Sequence, residues 1–312
     1  MLFSPLNFAV LFCYLGGMMG IGVWLAGRQK NTEDFFLAGR RMPWLIVAMS
    51  MYASLTSAVT YMGLPAMAYK ENVSLVVVCV ISPLVAPFLI LLFYPMYERY
   101  RVTTSYEFIG IRFGRKARFA TSALFLLARL GWLGTVVYAP AVALSVVTGL
   151  PLPTTILLMG AIATVYTVLG GVAADIWSDV FQFIIMVVGA VWVAVTLVNR
   201  TPEGIGGILR LAGETGHLNI LTWDLSLYEM SGFIVAVTFF FQLLQDYGTD
   251  QTTVQRLMAT PTLRGISRAI VFNAMVDFFL IGLLLFIGIG LFAYYHANPA
   301  LLPEGVGGDR LL

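Results

Sequence analysis

Apolar runs of about bilayer length alternate with short polar stretches along the whole chain. They lie at 6–27, 44–68, 74–97, 119–147, 153–170, 180–198, 231–248 and 269–295. A membrane-crossing helix needs roughly 20 mostly apolar residues, so the pattern predicts eight helical spans joined by loops. No Lys or Arg precedes Arg28. The first run therefore lacks the basic n-region of a secretory signal peptide, and 1–27 reads as a retained, peripheral first span. The class expected is an all-α polytopic membrane protein.

Composition removes the main alternatives. Hydrophobic residues make up 59% of the chain and charged residues 11%, whereas a soluble domain is roughly half apolar and about a quarter charged. A soluble enzyme, a disordered chain, a collagen-like fibre and a disulfide scaffold are excluded. Cys13 and Cys79 both sit in apolar runs, so they make neither a disulfide framework nor a metal cluster. His217 and His296 fall in predicted loops without Cys or His neighbours, and they read as solvated loop residues rather than metal ligands.

The net charge of +2 matters less than its placement. Arg28, Lys30, Arg40 and Arg41 lie in the first loop. Arg99, Arg101, Arg112, Arg115, Lys116 and Arg118 lie in the third, and Arg256, Arg264 and Arg268 in the seventh. The even loops and the C-terminal end hold only Lys70, Arg200, Arg210 and Arg310. Positive charge resists translocation, so the odd loops are assigned to the cytoplasm. The N-terminus and the segment 296–312 then lie outside, and the chain belongs in the cell membrane as a multi-pass protein. The fifth loop, 171–179, is basic-free and carries Asp175 and Asp179. The 199–230 loop is expected as an outer surface cap with one short helix.

Polar residues within spans are expensive in lipid and so mark candidate sites. The second span holds Ser50, Ser54, Thr56, Ser57 and Thr60 ahead of Gly63 and Pro65. These hydroxyls are either packing glue that bonds back to its own helix or part of a site. Their density before a Gly-x-Pro break favours a site, because a broken helix frees carbonyl oxygens that can coordinate Na⁺. In the seventh span Gln242, Gln245 and Asp246 share one helical face, with Gly248 as the expected break. Arg129 and Asp277 are charges within spans, read as ion-pair members with partners the sequence does not name. Gly16 and Gly20 either allow a close helix contact or reflect ordinary packing. No nucleophile triad, Walker loop or metalloprotease helix is present, so the chain does not read as an enzyme, and active transport would draw on an ion gradient.

Four segments together resemble the sodium:solute symporter family of glucose, proline, iodide and vitamin transporters. They are Asp34-Phe-Phe-Leu-Ala-Gly-Arg40 with Met42-Pro-Trp44, and Ala53-Ser-Leu-Thr-Ser-Ala58 with Gly63. The third is Tyr166 to Gln182 with its Gly170-Gly171, Asp175 and Asp179, and the fourth is Asp250-Gln251 with Gln255-Arg256. The resemblance implies a LeuT-like fold of two inverted five-helix repeats, the first over 44–198 and the second beginning at 231–295. It also implies truncation after the eighth span, before a ninth helix that supplies hydroxyls to a sodium site; an intact eight-span protein of another design is the alternative. Ala53 and Thr56 match positions whose carbonyls bind Na⁺. Asp179 matches an Asp at the sodium exit or an additional sodium site, unless it caps the sixth helix from a loop. Thr60, Gln245, Asp246 and Tyr247 match substrate-facing positions. Ser57-Ala-Val-Thr60 looks closer to the iodide, monocarboxylate and multivitamin branch than to the sugar branch.

The function expected is Na⁺-coupled symport of a small solute, an organic anion above all, by alternating access. Na⁺ is the coupling ion, no cofactor is implied, and the partners are the solute, Na⁺ and the lipid bilayer, with no nucleic acid. The competing classes are a channel or non-transporting sensor on the same scaffold, or an inactive fragment.

Overall fold

The computed structural model describes residues 5–26, 31–100, 102, 104–220 and 231–301, and among them every regular element is a helix. α1 (Pro5–Ala26) is followed by the short α2 (Thr32–Leu37), then α3 (Trp44–Leu55) and α4 (Ala58–Lys70). α5 (Val76–Phe88) passes through a π turn at Leu89–Phe93 into α6 (Tyr94–Tyr100), and α7 (Ser105–Phe113) leads to α8 (Arg115–Thr148). α9 (Leu152–Arg200), α10 (Gly204–Glu214), α11 (Gly232–Gly248), α12 (Gln251–Met258) and α13 (Leu263–Ala297) complete the order.

Each of the eight apolar runs falls on helix. Among the described residues, Val76–Tyr100, Arg115–Val146, Thr167–Arg200 and Leu263–Ala297 are long and apolar enough to cross a bilayer, and Trp44–Leu55 with Val59–Lys70 makes a fifth, broken span. Leu124, Leu127 and Leu130 of α8 and Ile185, Val188 and Trp192 of α9 are exposed. Apolar surface at that density suits lipid rather than water.

One predicted loop is corrected. Residues 171–179 are helical, because α9 runs from Leu152 to Arg200 with its interruption at Gly171 alone (φ 58°, ψ −162°). The polar side chains that suggested a loop point into the protein and find partners there.

The described chain forms two compact units. The first draws on Met1–Ala58, Phe93–Phe181 and Thr249–Ala269, the second on Val59–Leu92, Gln182–Gly248 and Ile270–Leu312. In the first unit the Asn31 side chain caps α2 by accepting the Asp34 N–H at 2.7 Å. Ala38, Gly39 and Arg40 then turn through the left-handed region. A Cβ on Gly39 would meet Asp34 Oδ1 at 2.8 Å, which explains the glycine of the Ala38-Gly-Arg40 segment. This turn is pinned to α12: Met42 N–H donates to the Ala259 carbonyl at 3.1 Å, and the Gln255 amide donates to the Phe36 carbonyl at 2.7 Å. Thr104 caps α7 through the Glu107 N–H at 3.0 Å. α1 meets α9 where a Cβ on Gly170 would lie 3.0 Å from Gly22 Cα. Gly16 and Gly20 have nothing within 4 Å of a built Cβ, so the close approach on α1 uses Gly22 instead.

In the second unit Ala68 of α4, Ile208 and Ala212 of α10, and Leu285, Ile289 and Ala293 of α13 form a buried cluster. Gly288 brings α13 against the Pro65 carbonyl, 2.4 Å from where a Cβ would stand. α5 packs on α11 through the edge-to-face pair Phe88–Phe240, with centroids 5.4 Å apart. His217 is buried rather than solvated. Its ring pairs with the Tyr69 carbonyl at 3.1 Å and lies 3.9 Å, centroid to centroid, from Phe292, so it bolts the α10 end to α4 and α13.

Candidate functional site

Two long helical stretches are interrupted where backbone groups become available. α3 ends because Thr56 is extended (φ −86°, ψ 104°), and the Thr56 N–H makes the closing bond to the Tyr52 carbonyl at 3.0 Å. The carbonyls of Ala53, Ser54 and Leu55 belong to the last turn, which a helix cannot satisfy internally. The break lies ahead of Gly63 and Pro65, which are inside α4. α11 ends at Gly248, and α12 restarts with Asp250 as its cap, accepting the Thr252 N–H at 2.9 Å. Ser105 at the start of α7 holds this second break, its hydroxyl donating to the Thr249 carbonyl at 3.0 Å. Arg129 is accounted for here. It pairs with Asp250 at 3.6 Å and donates to Thr252 Oγ1 at 2.7 Å.

The first unit contains a buried charge cluster below the α3 break. Arg256 of α12 reaches Asp179 of α9 with Nη2 at 2.9 Å and Nε at 3.2 Å, both on Oδ2. Nη2 also donates to Asp175 Oδ2. Ser50 Oγ accepts from Arg256 Nε at 3.0 Å and donates to Asp179 Oδ2 at 2.7 Å. Asp175 and Asp179 stand one turn apart on α9, and the Gly171 break and the Gly170 contact set that part of the helix against α1. Asp179 is 6% exposed and Ser50 wholly buried. Desolvating an ion costs several kcal/mol, and three charge-assisted bonds of about 1.5–3 kcal/mol each offset that for Asp179. Two carboxylates against one guanidinium leave the cluster one negative charge in surplus.

A smaller polar cluster lies in the second unit. Asp277 of α13 accepts from Ser82 Oγ of α5 at 2.6 Å and from Tyr247 OH of α11 at 2.9 Å, both through Oδ2. Asp277 was expected in an ion pair, but among the described residues hydroxyls hold it instead.

The residues singled out from sequence divide accordingly. Ala53, Thr56 and Asp179 are in the first unit, and Ser50 ties Asp179 to α3 one turn before Ala53. Thr60, Gln245, Asp246 and Tyr247 are in the second. Thr60 and Gln245 are exposed, Asp246 half-buried, and Tyr247 buried with its hydroxyl on Asp277. Asp179 is not a loop cap, since it lies mid-helix. Sequence reasoning missed Ser50, Ser82, Asp175 and Arg256 as partners. The i, i+4 spacing of the two aspartates, with no basic residue nearby in sequence, was the available signal that a distant cation must meet them.

A model of the sodium:solute symporter family matches residues 35–309. The sodium/sialic acid symporter SiaT of Proteus mirabilis (strain HI4320) is 29% identical over 311 residues, covering 99% of this chain and 63% of that protein. The sodium/iodide cotransporter of Homo sapiens is 33% identical over 307 residues, covering 96% of this chain and 47% of that protein. The sodium-coupled monocarboxylate transporter 2 of Mus musculus is 32% identical over 280 residues, covering 88% and 45%. The solved structure of a Na⁺-coupled sialic acid symporter, substrate-bound and outward-open, superposes with a TM-score of 0.93 at 28% identity, over 98% of this chain and 65% of that one. The chain thus spans less than two thirds of these relatives' length, and over that length its fold is the LeuT-like one. With the Gly-Gly-Asp-Asp stretch, the broken α3–α4 pair and the α12 arginine all in place, the chain belongs to the sodium:solute symporter family.

Proposed function

We propose that the chain carries out Na⁺-coupled symport of a small solute across the cell membrane by alternating access. The observation that carries this reading is the α3 break. It releases the carbonyls of the last turn one helical turn beyond Ser50, which is bonded to the anionic Asp179 cluster. Ala53 and Thr56 would hold Na⁺ through backbone oxygen, and Asp179 would attract it with the surplus negative charge. A ligand shifts the inward–outward equilibrium only by its differential affinity for the two states. An ion bound at a helix break would supply such a difference if its ligands are arranged differently in the two states.

Thr60, Gln245, Asp246 and Tyr247 are proposed to face the solute, with Na⁺ as coupling ion and no other cofactor. The first repeat is assigned to 44–198 and the second begins at 231–295, so that a broken helix opens each. The relatives named above transport sialic acid, monocarboxylate or iodide, all anionic at neutral pH, which favours an anionic solute here. The solute leaves chemically unchanged, so no enzymatic step is assigned. The loops rich in Arg and Lys face the cytoplasm and the N-terminus faces outside.

Uptake of labelled sialic acid, lactate and iodide into proteoliposomes, with and without external Na⁺, tests this reading on the reading frame that encodes the chain. Saturable, Na⁺-dependent entry of at least one supports it. Non-saturating, Na⁺-independent conduction would make the scaffold a channel, and Na⁺ binding without flux a sensor.

A further inference from the structure

Four basic residues gather where α7 meets α8, within the first unit: Arg112 in the last turn of α7, and Arg115, Lys116 and Arg118 at the start of α8. All four are exposed, and among the described residues none of their side chains has an ion-pair or hydrogen-bond partner. Between Glu107 and Asp175 the sequence contains no Asp or Glu. Two glycines bring the charges together. Gly114 turns the chain at φ 88°. Gly110 lets the Arg118 stem lie across α7, since a Cβ there would stand 2.9 Å from Arg118 Cδ. The rings of Tyr106 and Phe125, with centroids 5.3 Å apart, also join the two helices. Like charges this close repel one another, and a partner of opposite sign would relieve that. Apolar rings stand among the charges: Phe113 is 70% exposed and Phe119 76%. The span of α8 that is apolar enough to cross a bilayer starts at Arg115, so the corner lies at headgroup depth. An acidic protein or a free phosphate matches the charge alone. An anionic phospholipid matches the charge and the apolar neighbours together, its headgroup meeting the cations while the rings enter the acyl boundary.

We propose that the α7–α8 corner is a binding surface for anionic phospholipid, with Arg112, Arg115, Lys116 and Arg118 on the headgroup and Phe113 and Phe119 in the acyl boundary. Its leaflet is the cytoplasmic one, which rests on the orientation proposed above; the binding itself does not. The lipid steadies α7. At its other end α7 is hooked to the break before α12, where the Ser105 hydroxyl donates to the Thr249 carbonyl at 3.0 Å and the Ser105 N–H to Gln251 Oε1 at 3.3 Å. Lipid held at the corner is thereby linked to the segment at which α12 restarts.

Native mass spectrometry of the full chain in detergent, titrated with dioleoylphosphatidylglycerol or dioleoylphosphatidylcholine, reads the binding without requiring transport. Phosphatidylglycerol should bind more tightly, and the preference should shrink as salt is raised. The triple variant Arg112→Gln, Arg115→Gln, Lys116→Gln spares the packed Arg118. It should weaken phosphatidylglycerol binding by about fivefold for each charge removed. The control triple Arg41→Gln, Arg264→Gln, Arg268→Gln removes three exposed cations from the other basic loops and should leave binding near that of the parent. Hydrogen exchange places the effect: α7 amides should exchange more slowly in phosphatidylglycerol nanodiscs than in phosphatidylcholine ones, and the first triple variant should lose that difference. If the triple variant does not fold, Arg115→Gln alone decides the matter by its own fivefold loss. Equal affinity for the two lipids, or an equal loss in the control triple, overturns the surface. Full competition by millimolar inorganic phosphate would make the corner a phosphate site and overturn the lipid assignment. Lipid binding in a protein without Na⁺-driven uptake would retain this surface and remove only the transport reading.

Discussion

Arg256 Nη2 and Asp179 Oδ2 stand 2.9 Å apart in the interior of the first unit, joining α12 to α9 with Ser50 of α3 bonded to both. The arginine is shared with Asp175, whose side chain is 26% exposed. This asymmetry ranks three substitutions. Arg256→Ala leaves two carboxylates without a cation, one fully buried, and should destabilise by about 3–5 kcal/mol. Asp179→Ala leaves Arg256 still paired with Asp175 and should cost less. Asp175→Ala should cost least, because water reaches that carboxylate. Denaturant or thermal unfolding in detergent gives the order, and a milder effect for Arg256→Ala than for Asp175→Ala would remove the cluster's structural role.

The same cluster separates sodium from solute. Asp179→Ala should raise the Na⁺ concentration for half-maximal uptake more than it changes the solute dependence at saturating Na⁺. Thr56→Ala keeps the backbone carbonyl and should leave sodium dependence near that of the parent. Thr56→Pro removes the N–H that closes α3 on Tyr52 and should not. Transport kinetics at varied Na⁺ check all three, and an unchanged sodium dependence in a well-expressed Asp179→Ala protein would withdraw that residue from the site.

Helix contact in the second unit depends on Gly288. A Cβ there would stand 2.4 Å from the Pro65 carbonyl oxygen and 2.6 Å from Ala68 Cβ, whereas one on Gly282 meets nothing within 4 Å. Gly288→Ala should therefore destabilise by about 1–3 kcal/mol, while Gly282→Ala, in the same helix, should be neutral or slightly stabilising. Melting temperatures of the two variants side by side decide it; equal shifts would contradict the packing.

Much of this was legible in the chain itself. Apolar run length marks helices regardless of tertiary context, so all eight runs fall on helix, although among the described residues four helices, or five with the broken α3–α4 pair, are long and apolar enough to cross a bilayer. The hydroxyls of the second span located the α3 break to within a few residues, although the chain opens at Thr56 and not at Gly63. The stretch 171–179 misled because periodicity registers polar residues without their partners. Asp175 and Asp179 look like a loop until Arg256, more than 75 residues on, supplies the opposing charge. Asp277 misled in the opposite way. A charge in an apolar run suggests a salt bridge, yet its partners are the hydroxyls of Ser82, which reads in sequence as an ordinary helix residue, and of Tyr247, which the family resemblance marks only as substrate-facing. His217 shows the same limit, since loop placement does not report burial.

Topology offers an independent check. Arg115 opens α8 in a loop with six basic residues, and α10 lies in the loop assigned to the other side. A cysteine at Arg115 should be inaccessible to a membrane-impermeant reagent added to intact cells, and one at the exposed Glu214 accessible. Labelling in the reverse pattern would invert the orientation.

The most direct measurement is accumulation of solute against its own gradient in proteoliposomes where an inward Na⁺ gradient is the sole driving force. The account predicts saturable accumulation above equilibrium that collapses when the Na⁺ gradient is dissipated and that needs more Na⁺ in Asp179→Ala. Solute that only equilibrates, at a rate indifferent to Na⁺, would contradict it.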